Sequence, residues 1–236
     1  IGFFDSGLGG ASVLREAIRM LPHETTYITV MMQRAYGDRD YADIANLTIA
    51  SMEKLARLGI KAAGIACNTA TANVHSEHRT RHKACFEAGG NGKVLMLATA
   101  ATARLPRYRQ LLSRMVEPER VISVPCPGLV ERIEDGVLAA DGFDDILYKH
   151  LAFLEGETVD AKYGLHNYVF IKDAFERYAA IHFNGRAKLF DGNEATVRQL
   201  GRVLKENGIE NGSGSALIDY RTSGTGSSLN RYSFRL

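Results

Sequence analysis

Short apolar segments alternate along the chain with longer segments in which apolar residues recur every three or four positions. An apolar run bounded by turn residues is typical of a buried strand, and the longer period is typical of an amphipathic helix. Strands are predicted at residues 1–4, 25–32, 58–66, 93–98, 120–124, 159–163, 187–190 and 216–221. Strand and helix alternate throughout, which predicts an α/β protein built on parallel sheets.

The predicted helices follow these strands, and several have a residue that ends them. Pro22 ends the first helix, and Gly59 closes the second. Helices are predicted to span about 10–21, 41–58, 69–81, 99–116, 129–137, 143–154, 169–178 and 194–204.

Glycines divide the chain into two halves. The run Gly89-Gly90-Asn91-Gly92 is the clearest break, and a strand pattern restarts directly after it. We therefore predict two doubly wound lobes in a pseudo-twofold arrangement, with the active site in the cleft between them. The first lobe comprises residues 1–91 and 191–236, and the second comprises residues 92–190.

Composition excludes several classes of partner. The net charge of +2 gives no basic footprint for nucleic acid, and no apolar run has the length of a membrane span. The three cysteines, Cys67, Cys85 and Cys126, are irregularly spaced, which argues against a disulfide framework and predicts a reducing, cytoplasmic setting. No Cys/His spacing fits a metal site, so we expect no metal.

Cys67 lies where a predicted strand ends and a helix begins. Ligands bind at this edge of an open α/β sheet, and the N–H groups of the following helix can lower the pKa of a thiol. A single cysteine after an apolar strand is more often a buried structural residue. The first strand, however, ends in Asp5 and Ser6, which we expect to face the same crevice as Cys67.

The glycine-rich turn after Ser6 is not a dinucleotide fingerprint. Gly7 and Gly9 are followed by Ser12 where a third glycine is required, and there is no P-loop lysine. We interpret these glycines as allowing close approach of the backbone to a small anion.

Several motifs occur in the order found in one enzyme family. They are Phe4–Gly10, Tyr36–Asp38, Ala66–Ala70, Leu97–Thr99 with Thr102, Cys126–Glu131 with Glu134, and Leu189–Thr196. Together they resemble the motifs of the glutamate racemases, which belong to the cofactor-independent aspartate/glutamate racemase family. The resemblance covers most of the chain.

The resemblance implies a role for each matched residue. Cys67 is the base on one face of the substrate, and Asp5 is its polarising acid. The substrate-binding residues are Ser6, Tyr36, Gly37, Asn68, Thr69, Thr99 and Thr102. It also implies interconversion of L- and D-glutamate without a cofactor, supply of D-glutamate for peptidoglycan and hence for cell shape, and a homodimer.

The chain departs from the family at the second catalytic cysteine. An alignment on Tyr168 places Leu165 at that position, His166 over the substrate-binding threonine and Asn167 over the assisting histidine. A shift of one residue would align His166 with that histidine. Because leucine cannot move a proton, His166 is the candidate second base, with Glu134 to orient it. Cys126 is the other thiol of this lobe, and we interpret it as structural.

Three hypotheses remain open from the sequence. The first is a glutamate racemase. The second is a one-thiol homologue that exchanges the Cα proton on a single face. The third is an inactive homologue that binds an acidic amino acid without racemising it.

Overall fold

The computed structural model describes residues 1–30, 39–67, 69–70, 91–113, 117–164, 166–184, 187–214 and 217–222. The chain divides into two compact units, unit 1 with Ile1–Val74 and Gly192–Leu236, and unit 2 with His75–Asp191. The predicted boundary at residues 91 and 92 adjoins residues 71–90, which lie outside the described part, so it stays a prediction. Within the described part, no helix is long and apolar enough to cross a membrane.

All eight predicted strands are present. In chain order they are β1 (Gly2–Asp5), β2 (Thr26–Val30), β3 (Ala63–Ile65), β4 (Lys93–Ala98), β5 (Val121–Pro125), β6 (Val159–Tyr163), β7 (Lys188–Phe190) and β8 (Ile218–Thr222). The described α-helices are α1 (Gly9–Met20), α2 (Tyr41–Ala56), α3 (Ala100–Arg104), α4 (Pro106–Leu112), α5 (Leu129–Glu134), α6 (Asp144–Leu151), α7 (Lys172–His182) and α8 (Asn193–Glu206).

Among the described strands, each unit contains one four-stranded sheet and every pairing is parallel. The strand orders are β3-β1-β2-β8 in unit 1 and β5-β4-β6-β7 in unit 2. The prediction of two parallel α/β sheets is therefore confirmed. In both sheets the first strand of the unit is central, the second strand lies on one side and the third on the other.

This shared order defines a switch point in each sheet. The chain first winds outward from the central strand and then crosses back to its other side, so the switch points lie between β1 and β3 and between β4 and β6. Ligands bind beyond the carboxyl ends of the strands at such points. In unit 1, these ends carry Asp5 and Cys67.

The core of unit 1 joins α1 and α8 to the sheet. Apolar residues at helical spacing on both helices pack against β1, β2 and the segment after β3. The cluster comprises Ile1, Phe3, Val13, Leu14, Ala17, Leu21, Ile28, Ala66, Val197, Leu200 and Leu204. The last described helix, α8, is therefore part of the first unit, and its packing fixes the position of α1 from a distant part of the sequence.

Some predicted elements differ in extent. The helix predicted over 99–116 breaks into α3 and α4, because Leu105 takes an extended conformation before Pro106, where the α region is disfavoured. The predicted strand at 58–66 shortens to β3, since Gly59 at φ +71° belongs to the turn that follows α2. The helix predicted from about 169 begins at Lys172, after a 3₁₀ segment that spans His166–Ile171.

Lys162 is a fully buried cation in β6. Its Nζ donates a hydrogen bond of 3.1 Å to the carbonyl of Phe175 and lies 5.8 Å from the centre of that ring. Burial lowers the pKa of Lys162 to about 8, and the charge of Glu176 offsets part of this effect. The ammonium therefore links β6 to α7 but is costly to keep charged at neutral pH.

The Lys162→Met variant is expected to reveal this cost as a pH dependence. Between pH 10.5 and about 8 the unfolded chain binds a proton at Lys162 that the folded chain does not, so the stability of the wild type falls as pH falls through this window. The methionine variant lacks this loss. Relative to the wild type, the unfolding free energy of the variant should therefore rise by about 3 kcal/mol when the pH is lowered from 10.5 to 7.5. Urea unfolding of both proteins across this range measures it, and parallel stability curves would contradict it.

Candidate active site

Asp5 and Ser6 lie at the carboxyl end of the central strand of unit 1. Asp5 is the last residue of β1, and its Oδ1 accepts a hydrogen bond of 3.1 Å from the N–H of Gly7. The first turn of α1 packs directly on Asp5. A Cβ added to Gly10 would lie 2.7 Å from the Asp5 Cβ, so this approach requires glycine. Gly10 of this turn thus serves the contact with Asp5.

Cys67 is held beside these residues by the backbone. The N–H groups of Ala66 and Cys67 both point to the carbonyl of Phe4, at 2.8 and 3.4 Å. The Cys67 Sγ lies 3.1 Å from the Ser6 Oγ and accepts a hydrogen bond of 3.3 Å from the N–H of Ala70. The structure therefore brings together the acid, hydroxyl and thiol that the sequence predicted to share one crevice.

Burial dominates the electrostatics of this cluster. Asp5 is 3% exposed, and its Oδ2 has no hydrogen-bond partner among the described residues. Burial raises the pKa of Asp5 to about 7, although the N–H groups of Gly7 and Ser6 oppose the rise. Burial, followed by the charge of Asp5, raises the pKa of the Cys67 thiol to about 12. The thiol is therefore protonated at neutral pH, and Asp5 titrates near neutrality.

The predicted threonines fall in both units. Thr69 is buried and lies in the helical turn that follows Cys67. In unit 2, Thr99 caps α3, where its Oγ1 accepts a hydrogen bond of 3.2 Å from the N–H of Thr102 and its hydroxyl lies 3.0 Å from the Thr102 Oγ1. Both side chains of this pair thus lie at the carboxyl end of β4, the central strand. Their part in substrate binding stays a prediction.

Other predicted residues are only partly described. Tyr36, Gly37, Asn68 and Leu165 lie outside the described residues, as does Cys85. His166 begins the 3₁₀ segment after β6, and its side chain lies outside the described part. Glu134 is the last residue of α5. The pairing of His166 with Glu134 therefore stays a prediction.

Cys126 has the contacts of an interior thiol. It follows β5, its N–H donates to the Ala98 carbonyl at 2.9 Å, and its Sγ lies 3.5 Å from the Val124 carbonyl. Burial raises its pKa to about 12, while Tyr168 opposes the rise. The structural interpretation of Cys126 fits these contacts. Among the described residues, no group of His, Cys, Asp and Glu is arranged to hold a metal ion.

Comparison with known proteins assigns the chain to a family. No family model matches the chain. A glutamate racemase of Clostridium perfringens is 34% identical over 224 residues, which cover 89% of this chain and 85% of that protein. The chain belongs to the glutamate racemase family. A second glutamate racemase, from Clostridium acetobutylicum, is 32% identical over 89% of this chain and 86% of that protein.

Solved structures of this family have the same fold. The glutamate racemase of Thermus thermophilus, in complex with β-chloro-D-alanine, has a TM-score of 0.77 at 24% identity and covers 98% of this chain and 91% of its own. The isoform RacE1 from Bacillus anthracis has a TM-score of 0.81 at 23% identity over 96% and 89%. The Escherichia coli enzyme, in complex with L-glutamate and the activator UDP-MurNAc-Ala, has a TM-score of 0.80 at 20% identity over 98% and 91%. These structural similarities show that the chain has the fold of the family.

Two features of the cluster were not visible in the sequence. One is the close packing of Gly10 on Asp5, since the sequence predicted that the glycine-rich turn allows the backbone to approach a small anion. The other is the identity of the N–H that reaches the thiol. The sequence indicated that N–H groups of the helix after Cys67 could reach the sulfur, and the structure shows that the N–H of Ala70 donates this hydrogen bond.

Proposed function

We propose that the chain interconverts L- and D-glutamate by proton transfer at Cα, without a cofactor and with Cys67 as the acid–base group on one face. The observation that carries the proposal is the cluster in unit 1, where a thiol contacts a hydroxyl and a backbone N–H beside a buried carboxyl group. Membership of the glutamate racemase family supports glutamate as the substrate.

Each group of the cluster has a distinct task. As a thiolate, Cys67 takes the Cα proton of one enantiomer, and in the reverse direction, as a thiol, it gives a proton to the carbanion on that same face, while an acid–base group on the opposite face completes the inversion. The Ala70 N–H stabilises the thiolate, as an N–H at the start of a helical turn does. Asp5 is largely ionised at pH 8 and polarises the thiol. Ser6 and Thr69, with Asn68, Tyr36 and Gly37 by resemblance, hold the charged groups of the amino acid.

The thiolate of Cys67 forms in this buried cluster only when the positive charge of the substrate is present. In the empty site the thiol is protonated, since burial and the Asp5 charge both raise its pKa. A nearby cation lowers the pKa of acidic groups. The α-ammonium group of a bound amino acid supplies that cation and can donate to Asp5 Oδ2. Formation of the thiolate is therefore tied to occupancy of the site, which protects the sulfur when the site is empty.

Racemisation also needs an acid–base group on the opposite face of Cα. By resemblance, the family has its second catalytic cysteine where this chain has Leu165. We therefore propose that His166 of unit 2 is the second acid–base group and that Glu134 orients it. The alternative function is a one-thiol homologue that exchanges the proton on one face, or that binds an acidic amino acid without inversion. Leu165 is the specific observation that favours this alternative.

Cα deuterium incorporation in D₂O tests the proposal, with L- and D-glutamate incubated separately. We expect exchange and inversion from both enantiomers, and loss of both by about 10³-fold or more in the Cys67→Ser variant. Proton NMR measures exchange, and circular dichroism measures inversion. Cys126→Ser serves as the matched control and should keep wild-type rates.

The outcomes separate the candidate functions. Exchange from one enantiomer without inversion would establish the one-thiol alternative. No exchange, with glutamate still raising the melting temperature, would establish a binding protein. Rates that are unchanged in Cys67→Ser would remove Cys67 from the chemistry altogether.

We propose a cytoplasmic homodimer that supplies D-glutamate for peptidoglycan, as the resemblance implies. A cytoplasmic setting fits the irregular spacing of the three cysteines.

A further inference from the structure

A buried polar contact joins the start of α8 to the start of α1. The Asn193 Nδ2 donates a hydrogen bond of 2.8 Å to the Ser12 Oγ, across 181 positions of sequence. Both residues are 2% exposed. Apolar side chains join these two helices elsewhere, so a buried amide and hydroxyl at this position need a reason beyond packing.

The contact continues to the catalytic cluster. The Ser12 hydroxyl donates a hydrogen bond of 2.7 Å to the carbonyl of Gly9, the first residue of α1. The next residue, Gly10, packs on the Asp5 Cβ so closely that no side chain fits between them. A chain of direct contacts therefore leads from Asn193, through Ser12 and the first turn of α1, to Asp5.

We propose that Asn193 is a positioning residue that acts through Ser12 to hold the first turn of α1 against Asp5 and thereby keeps the Asp5–Ser6–Cys67 cluster closed to water. The role of the cluster in proton transfer rests on the proposed function. Asn193 is the second residue of unit 1 after the chain leaves unit 2, so this contact also anchors the chain where it re-enters the first unit.

The geometry explains why a side-chain hydrogen bond suits this position. The first turn of a helix lacks intrahelical partners for its N–H groups and frays readily. In addition, α1 has no side-chain cap at Leu8. The polar chain from Asn193 fixes this uncapped end in place, where apolar packing further along α1 would not constrain it.

The test compares Asn193→Ala, Ser12→Ala and the double variant with the wild type. We expect kcat for Cα exchange to fall by about tenfold or more in each, with a smaller change in KM, because a small displacement of reacting groups costs more in rate than in binding. Because the two residues act through one bond, the double variant should lose little more than either single variant.

Alkylation of Cys67 by iodoacetamide, resolved by mass spectrometry across pH, gives a readout that does not need activity. Loosening of the α1 turn admits water to the thiol, so alkylation at pH 8 should rise by about tenfold as its rate–pH curve moves to lower pH. Alkylation of Cys126 should stay unchanged, which distinguishes this effect from general unfolding.

Asn207→Ala is the matched control on the same helix. The Asn207 amide is exposed and donates to the Val203 carbonyl at the far end of α8. This variant should keep the wild-type rates of exchange and alkylation. An Asn193→Ala protein with wild-type alkylation of Cys67, or additive losses in the double variant, would overturn the proposal. Absence of exchange in the wild type would refute the proposed function and leave the alkylation comparison decisive for Asn193.

Discussion

The Leu165→Cys variant is expected to invert glutamate about 10²-fold faster than the wild type or more, while proton exchange at the Cys67 face stays unchanged. A well-placed acid–base group contributes about 10²- to 10⁴-fold to a proton transfer. Leucine contributes nothing of this kind. Under the proposed function, the wild type uses a less suitable group on the second face, so inversion should be its slow step.

The topology of the two sheets supports position 165 for this substitution. The strands β3 and β6 are each the third strand of their unit, and each lies next to the central strand at a switch point. Cys67 is the second residue after β3, and Leu165 is the second residue after β6. The sequence alignment and the strand order thus select the same position independently.

Two further variants complete this experiment. Leu165→Ala removes the bulk of the side chain without adding a thiol, so it should not raise inversion. His166→Ala in the wild-type background should lower inversion if His166 is the present second base. A wild type that inverts glutamate as fast as it exchanges the proton, with no gain in Leu165→Cys, would show that the second base lies elsewhere.

The strands were predictable because buried parallel strands are short apolar runs bounded by turn residues. This signal is clear in β1 and β4, whereas β6 is interrupted by Lys162 and β8 contains Asp219 and Arg221 and is largely exposed. Helix ends were less predictable. The break at Leu105 is explained by Pro106, but the 3₁₀ segment before Lys172 has no such single cause in the sequence.

The candidate site was predictable in its members and less so in its properties. Motifs selected Asp5, Ser6 and Cys67, and the structure places the Ser6 and Cys67 side chains 3.1 Å apart. Their pKa values depend on burial, which no local pattern encodes. The contact between Asn193 and Ser12 joins residues from opposite ends of the chain, so only the tertiary structure reveals it.

The Asp5→Asn variant is expected to lose activity and gain stability. Because asparagine carries no charge to pair with the α-ammonium group of the substrate, the cation that lowers the pKa of the thiol, kcat for Cα exchange should fall by about 10²-fold or more. The stability gain follows from the raised pKa of Asp5. The folded chain keeps a proton at Asp5 that the unfolded chain releases between pH 3.8 and about 7, so wild-type stability falls as pH rises through this window.

The Asp5→Asn variant does not lose stability as pH rises through this window, so a large difference in unfolding free energy from the wild type is expected. A rise of this size corresponds to at most about 4 kcal/mol above pH 7, and the new Nδ2 atom, which needs its own partner, reduces the gain to about 1–3 kcal/mol. Urea unfolding at pH 4, 6 and 8 should show the two proteins diverging as pH rises, with a constant gap above about pH 7.

Asp145→Asn provides a control of opposite sign. The Arg132 guanidinium, which hydrogen-bonds Asp145, lowers the pKa of this exposed carboxyl to about 2. The stability contributed by Asp145 is therefore present above its unfolded pKa and is lost as pH falls toward 2. Asp145→Asn should keep full activity and never exceed the wild type in stability. An Asp5→Asn protein that loses stability at pH 8 would show that the Asp5 carboxylate supports the fold. Gain of stability with loss of activity would instead show that its burial serves the chemistry.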